Sequence, residues 1–507
     1  MTIIDFVRIC ALGFVVACGP TATRNEVCNG VSTDTTSDPS NCGQCGTQCP
    51  GTACSNGTCG DSCTPGETAA CYDGAPGTQG VGPCVGGTKT CESTGTWGLC
   101  MGEVVPVAEV CADHIDNDCN GMVDEDVDAD GDGFTTCGGD CCDNASVCGS
   151  PKLVNPGAFE VAGNQVDDDC DGVVDEAAAG AACDTGLMSN SSNAMDAAKA
   201  MELCQTTTMT DKTWGVISAT WTLADGTSVP NALSRAIRPH YGTGTTPKAG
   251  ANMVLISTGN AAGTGDTNPG PDSGESGVMN TSSPFPADFY AANGNKLPNA
   301  PGCPAPNGTT ANDPVMLNLT IRVPTNASSF TLQTNFFSSE FPEWTCSPFN
   351  DFFVVLLDSS FSGTPANPHD KNLATYTAPN MTIYPVGVNL AYGNTGLFTQ
   401  CVNGPTGCEA TSMGGVAGSI TTCSGTGDLA GTGMEVADPL ASISGCTGAQ
   451  TGGATGWLTT SGNVVGGEII KLRIAIWDTS DHALDSLAVI DNFKWSVEAS
   501  DPGTVIQ

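Results

Sequence analysis

One passage of this chain is written twice, and it limits the possible folds more than anything else in the sequence. Glu109-Val-Cys-Ala-Asp-His-Ile-Asp-Asn-Asp-Cys-Asn-Gly-Met-Val-Asp-Glu125 returns as Glu160-Val-Ala-Gly-Asn-Gln-Val-Asp-Asp-Asp-Cys-Asp-Gly-Val-Val-Asp-Glu176. Between the echoes runs Asp126-Val-Asp-Ala-Asp-Gly-Asp-Gly133, with a carboxylate at every second residue until glycine ends the series. Calcium takes six to eight oxygens at about 2.3 to 2.6 Å, and alternating acids followed by a sharp glycine turn supply them from a short loop. Asp116, Asp118, Asn120 and Gly121 fill positions one, three, five and six of such a loop, and Asp167, Asp169, Asp171 and Gly172 repeat it. Asp128, Asp130, Asp132 and Gly133 make a third loop, with a register starting at Asp126 left open. The pairs Asp124-Glu125 and Asp175-Glu176 follow the two echoed loops as candidates to close the shells, and Asp140 is a further candidate. None is a true EF-hand, because the twelfth position counted from Asp128 is Gly139, with Asp140 next, and not the bidentate Glu. A merely solvated acidic linker would keep no phase between acids and glycines. The expected cofactor is therefore Ca2+, in a structural role suited to the weak affinities of extracellular modules, about 10⁻⁴ to 10⁻³ M.

Charge and cysteine content agree with that setting. Against 54 Asp and Glu stand 15 Lys and Arg, a formal charge of −39 that repels nucleic acid and anionic lipid and attracts cations. The 28 cysteines point to disulfides and an oxidising, extracytoplasmic compartment. At 507 residues the chain can hold more than one core, and 65 Gly with 31 Pro argue against long helices. Ile9-Cys-Ala-Leu-Gly-Phe-Val-Val-Ala-Cys18 is too short to span a bilayer, which takes about 20 residues, but fits a signal-peptide core. Val15-Val16-Ala17-Cys18 resembles a bacterial lipobox. The expectation is a signal peptide over 1–17 and a lipid on Cys18 as the only contact with membrane. The chain then sits at a bacterial outer membrane or cell surface, or is secreted.

Texture divides the remainder. Residues 18–103 are rich in Cys, Gly, Thr and Ser and must be held by bridges. There Cys42 and Cys45 form a CxxC with no histidine nearby, expected as structural disulfide thiols and not as a redox or zinc site. A second cysteine unit runs from Cys63 to Cys100. The acidic motif occupies 104–176, a linker 177–193 and a β-domain 194–498, with 499–507 as a tail. Ala194 to Cys204 has a helical pattern. Strands are expected at Trp214 to Leu223, Ala251 to Ser257, Val315 to Val323, Ser329 to Phe337, Asp351 to Leu357 and Ile469 to Trp477. Many short strands with rich turns predict a mainly β fold, a β-sandwich of jelly-roll type C-terminal to a loop-rich region.

Two stretches resemble known families. The echoes, with Gly139-Asp140-Cys141 and Asn155-Pro-Gly-Ala158 between them, resemble the metal-binding motif of the MopE family over about 109–176. These are surface-associated proteins whose founding members bind copper. That resemblance implies copper as the alternative cofactor, with His114 its one imidazole in the motif. It implies a Cys111–Cys119 pair, while Cys170 needs another partner because Ala162 stands where the first echo has Cys111; Cys142 and Cys148 look like additions.

The run from Phe336 to Leu357, with Gly453 to Thr459 and Ile476 to Phe493, resembles the choice-of-anchor L domain over about 183–498. That family of bacterial surface proteins implies display without an established reaction, and partners among surface polymers or proteins. Glu340, Asp351, Asp485 and Asp491 are expected to contact a ligand or to order loops. No Gly-x-Ser-x-Gly elbow or His-Glu-x-x-His helix occurs. The chain is accordingly read as non-enzymatic, with a glycan-active hydrolase using Glu340 or Glu343 as the rival. The acidic motif is expected to act as a cation-stiffened spacer that holds the β-domain off the membrane.

Overall fold

The computed structural model describes short stretches between residues 26 and 60 and then 63–107, 109–111, 113–124, 126–176, 183–271, 279–392, 395–418, 420–436 and 452–507. The expected signal peptide, Cys18, Glu125 and the Ala-Gly segment 177–182 lie outside the described residues. The chain divides into two compact units, Met1–Val127 and Asp128–Gln507. Because the division falls inside the acidic stretch, the two echoes belong to different units.

Bridges organise the first unit. A hairpin pairs Thr68–Cys71 with Gly87–Thr90, and Cys63–Cys91 and Cys71–Cys100 staple it. Leu99 and Met101 stay largely in solvent, so apolar burial contributes little there. Cys42 and Cys45 are both disulfide-bonded. Cys84 bonds to Cys119 of the first echo, which corrects the Cys111–Cys119 pair that the family resemblance implied.

The second unit is mainly β. One antiparallel sheet holds β1 (Gly215–Thr222), β4 (Ser282–Ser283), β5 (Ala311–Arg322), β7 (Phe352–Asp358) and β9 (Ile469–Thr479), ordered β4-β5-β9-β7 with β1 also on β5. A six-stranded sheet holds β2 (Arg235–Arg238), β3 (Met253–Ser257), β6 (Ser329–Ser338), β8 (Gly453–Asn463), β10 (Ser486–Ser496) and β11 (Gly503–Ile506), ordered β11-β8-β6-β10-β3-β2. From β5 to β10 the labelled strands alternate between the sheets. The sheets share one core, in which Leu317, Leu319 and Ile321 of β5 and Leu332 and Phe336 of β6 are buried.

The apolar run in β7 follows from burial on both faces. Phe353, Val355 and Leu357 join the central core, whereas Phe352, Val354 and Leu356 join an outer one with Phe289 and Trp477. The outer core is covered by a helix over Ala287–Ala292, whose Asp288 receives two hydrogen bonds from Arg473, at 2.9 and 2.7 Å.

The helix expected from Ala194 to Cys204 is shorter, covering Ala194–Lys199. Asn193 caps its start through Met195 N–H at 3.2 Å, and Glu202, at φ 68°, turns the chain out of the helical path. The expected tail also contributes structure, since Gly503 to Ile506 pairs with Ser461 to Leu458 of β8.

A spacer is expected over 104–176, but residues 128–176 belong to the β-rich unit. Phe159 is 9% exposed within the central core. Its backbone is gripped by one side chain: Phe159 N–H donates to Asn326 Oδ1 at 3.0 Å, and Asn326 Nδ2 donates back to Phe159 O at 2.8 Å. Thr325 N–H donates to Gly157 O at 2.9 Å. No helix among the described residues is long and apolar enough to cross a membrane.

Candidate metal centre

The acids of each loop are first of all turn-makers. In the first echo Asn120 N–H and Gly121 N–H donate to the two oxygens of Asp116, both at 3.0 Å. Gly121, at φ 97°, makes the bend that lets both amides converge on one carboxylate. Asp118 Oδ1 accepts from Asn120 N–H at 3.0 Å, and Asn120 Oδ1 from Met122 N–H at 2.9 Å. The second echo repeats these contacts. Asp171 N–H and Gly172 N–H donate to Asp167 at 3.1 and 3.0 Å, Asp171 N–H also to Asp169 at 3.2 Å, and Val173 N–H to Asp171 at 2.8 Å.

The central loop takes the same form in the register that starts at Asp128. Asp132 N–H and Gly133 N–H donate to Asp128 at 3.1 and 3.0 Å, and Phe134 N–H to Asp132 at 2.8 Å. The alternative register from Asp126 is not the one these bonds follow.

The opening glutamates, unassigned from sequence, close the two echoes. Glu109 accepts from Asn117 N–H at 3.1 Å and Asp124 N–H at 3.3 Å. Glu160 accepts from the corresponding Asp168 N–H at 3.0 Å and Asp175 N–H at 2.9 Å. Carboxylate oxygens of Glu109, Asp116 and Asp118 lie within 4.8 Å of one another, as do those of Glu160, Asp169 and Glu176, and those of Asp167, Asp169 and Asp171. Asp128, Asp130 and Asp132 form another such group. Asp130 and Asp140 form one more with Asp143, also unassigned from sequence. Asp124 and Asp175 brace the turns: Asp124 accepts from His114 N–H at 3.0 Å, and Asp175 from Gln165 N–H at 3.1 Å.

Crowding leaves its electrostatic mark. Burial, then the charges of Asp171 and Glu176, push the Asp169 carboxyl up to about 6. Burial, then Asp143, Asp132 and Asp130, push Asp140 up to about 6. Glu160 is raised chiefly by burial. Oδ2 of Asp130, Oδ2 of Asp140 and Oε2 of Glu176 are buried without a hydrogen-bond donor. Oxygens gathered in this way could hold a metal ion, which would supply the missing partner and remove the repulsion together.

Residues 106–125 and 150–176 match the MopE-type family model described as a "Putative metal-binding motif". The match spans both echoes and marks this part of the chain as similar to a metal-binding motif. No curated protein and no solved structure matches the chain. A soft or imidazole-rich donor set is not what the loops present: His114 is the imidazole of the matched motif, its ring is 87% exposed, and Nδ1 lies 2.8 Å from Asp124.

The remaining candidates lie in the β-domain, in two places. Asp491 sits beside Glu202, accepting Ala249 N–H at 3.3 Å, while Glu202 accepts Asn492 N–H at 2.9 Å. Glu340 and Asp351 are buried at one end of the sandwich, where Asp485 is also buried and its carbonyl accepts Ser339 N–H at 3.0 Å.

Proposed function

We propose that the protein is a calcium-binding, non-enzymatic cell-surface protein, held by a lipid on Cys18 and displaying a jelly-roll domain to surface polymers or proteins. One observation carries the calcium reading: a single loop skeleton occurs three times, each time gathering only oxygen donors. The exposure of His114 and its engagement with Asp124 weigh against copper. Sheet-to-sheet alternation from β5 to β10 supports the jelly-roll order. The bridges in both units support an oxidising, extracytoplasmic compartment. Resemblance to choice-of-anchor L supports display. Burial of Glu340 and Glu343 supports a non-catalytic role, because a polysaccharide needs access to its acid.

Native mass and elemental analysis of the purified chain after dialysis test this reading. Bound calcium, no copper and a lipid mass on the N-terminal cysteine are expected. Stoichiometric copper surviving dialysis would overturn the calcium reading, and turnover on a polysaccharide panel abolished by Glu340→Gln in a folded protein would overturn the non-enzymatic one.

A further inference from the structure

The end of the sandwich away from the acidic loops in sequence holds a second kind of carboxylate cluster. Antiparallel register sets Phe352 of β7 against Trp477 of β9, so Asp351 and Asp478 occupy opposed positions one residue further on. Glu340 arrives from the other sheet, two residues beyond the end of β6. Asp351 is 0% exposed, and Glu340 and Asp478 are each 2% exposed. Both oxygens of Asp351, Oε2 of Glu340 and Oδ1 of Asp478 are buried with no donor in hydrogen-bonding geometry; the Ser486 hydroxyl and the Asp478 carboxyl are the side chains beside Asp351. Among the described residues no Lys or Arg pairs with any of the three, and the nearby His482 is engaged with Asp313 at 2.7 Å. Burial, and then the charges of Asp351 and Asp481, raise the carboxyls of Glu340 and Asp478.

Buried carboxylates are tolerated when paired, protonated or bound to metal. Three of them, brought from two sheets close enough for their charges to act on one another, offer a buried all-oxygen donor set with four orphaned oxygens. A cavity of about 140 Å³ adjoins it, in which Glu340 and Asp481 are the polar residues of a lining that is otherwise apolar, including Trp344, Phe349 and Leu484. Oxygen-only donors of this charge select a hard divalent ion over copper or zinc.

We propose that Glu340, Asp351 and Asp478 form a buried calcium site that ties the two sheets of the β-domain together, separate from the acidic loops. The ion takes oxygens from β7, from β9 and from the segment after β6. It thereby closes the end of the sandwich where the segments 339–351 and 480–485 leave the strands.

Two full-length variants test the proposal. In a loop-deficient chain (Asp116→Ala, Asp128→Ala, Asp167→Ala), native mass is expected to retain one bound calcium, and calcium is expected still to raise the melting temperature of the β-domain. Complete loss of calcium, or of the thermal shift, overturns the site. In Asp351→Asn the expected changes have opposite signs. With chelator the variant melts above the wild type, because a buried charge is gone; with calcium it melts below, and it carries one calcium fewer. A melting difference that calcium does not alter, or an unchanged calcium count, marks the cluster as protonated framework and overturns the proposal. If Asp351→Asn fails to fold, the loop-deficient chain decides alone.

Discussion

The two echoes have the same turn skeleton in opposite surroundings. Around the first, Glu109, Asp116 and Asp118 gather in a unit held by bridges, where Cys84 ties down Cys119. Around the second, Glu160 is 3% exposed, Cys141 ties down Cys170, and Phe159 anchors the segment in the β-core. Since the backbone contacts are nearly identical, the turn is a property of the local sequence: acid, glycine and amide dictate it with or without a core beneath. Packing sets the electrostatic load instead. Burial in the second unit pushes Asp169 up to about 6.

The largest test of this contrast removes the anchor. Phe159→Ala should cost about 3 kcal/mol in a denaturant melt of the β-rich unit and weaken calcium at the second loop while sparing the first; an unchanged melt would mean that the second echo is as independent of a core as the first. Next in size is a pH effect. A buried carboxyl raised above its ordinary range destabilises the metal-free fold as pH climbs from about 4 to about 6, through the span between its unfolded and folded values. Calcium needs the ionised form, so its binding at the second loop should strengthen over that same interval. Calcium titrations at pH 5 and pH 7 should therefore differ, and equal affinities at the two would remove the crowding argument. The smallest effect comes from Asn120→Asp, which gives the first loop the acid that Asp171 supplies to the second. A gain of roughly a few-fold in calcium affinity is expected from the added charge, and a loss would show that repulsion already limits the first loop.

Much of this was legible because period and phase carry it. The continuous run after Asp351 gave β7, and the alternation through Lys471 and Arg473 gave β9 with one face turned to Asp288. Acid-glycine phase located all three loops. Glu109 and Glu160 were harder, since each lies seven residues before the first loop acid and only the turn brings it back. β8 was obscured by its small residues: Gly462 lies so close to Leu373 that an added Cβ would stand 2.6 Å from it, so the strand packs by lacking a side chain. β2 was hidden by its arginines, of which Arg238 is buried and paired with Asp266 at 3.3 Å. The partners of Cys119 and Cys170 were illegible, because connectivity depends on which chains the fold places together.

Those two cysteines also make the two turns answer to reduction. Cys119 and Cys170 hold φ values of 60° and 58°, a left-handed bend that a side chain resists, and each is fixed there by its bridge. In the oxidised chain each bend is tied to a distant cysteine as well as to its own loop carboxylate. Reduction leaves the carboxylate-to-amide bonds of each loop to hold the bend alone, so the thiol state of the chain bears on how firmly both turns are set.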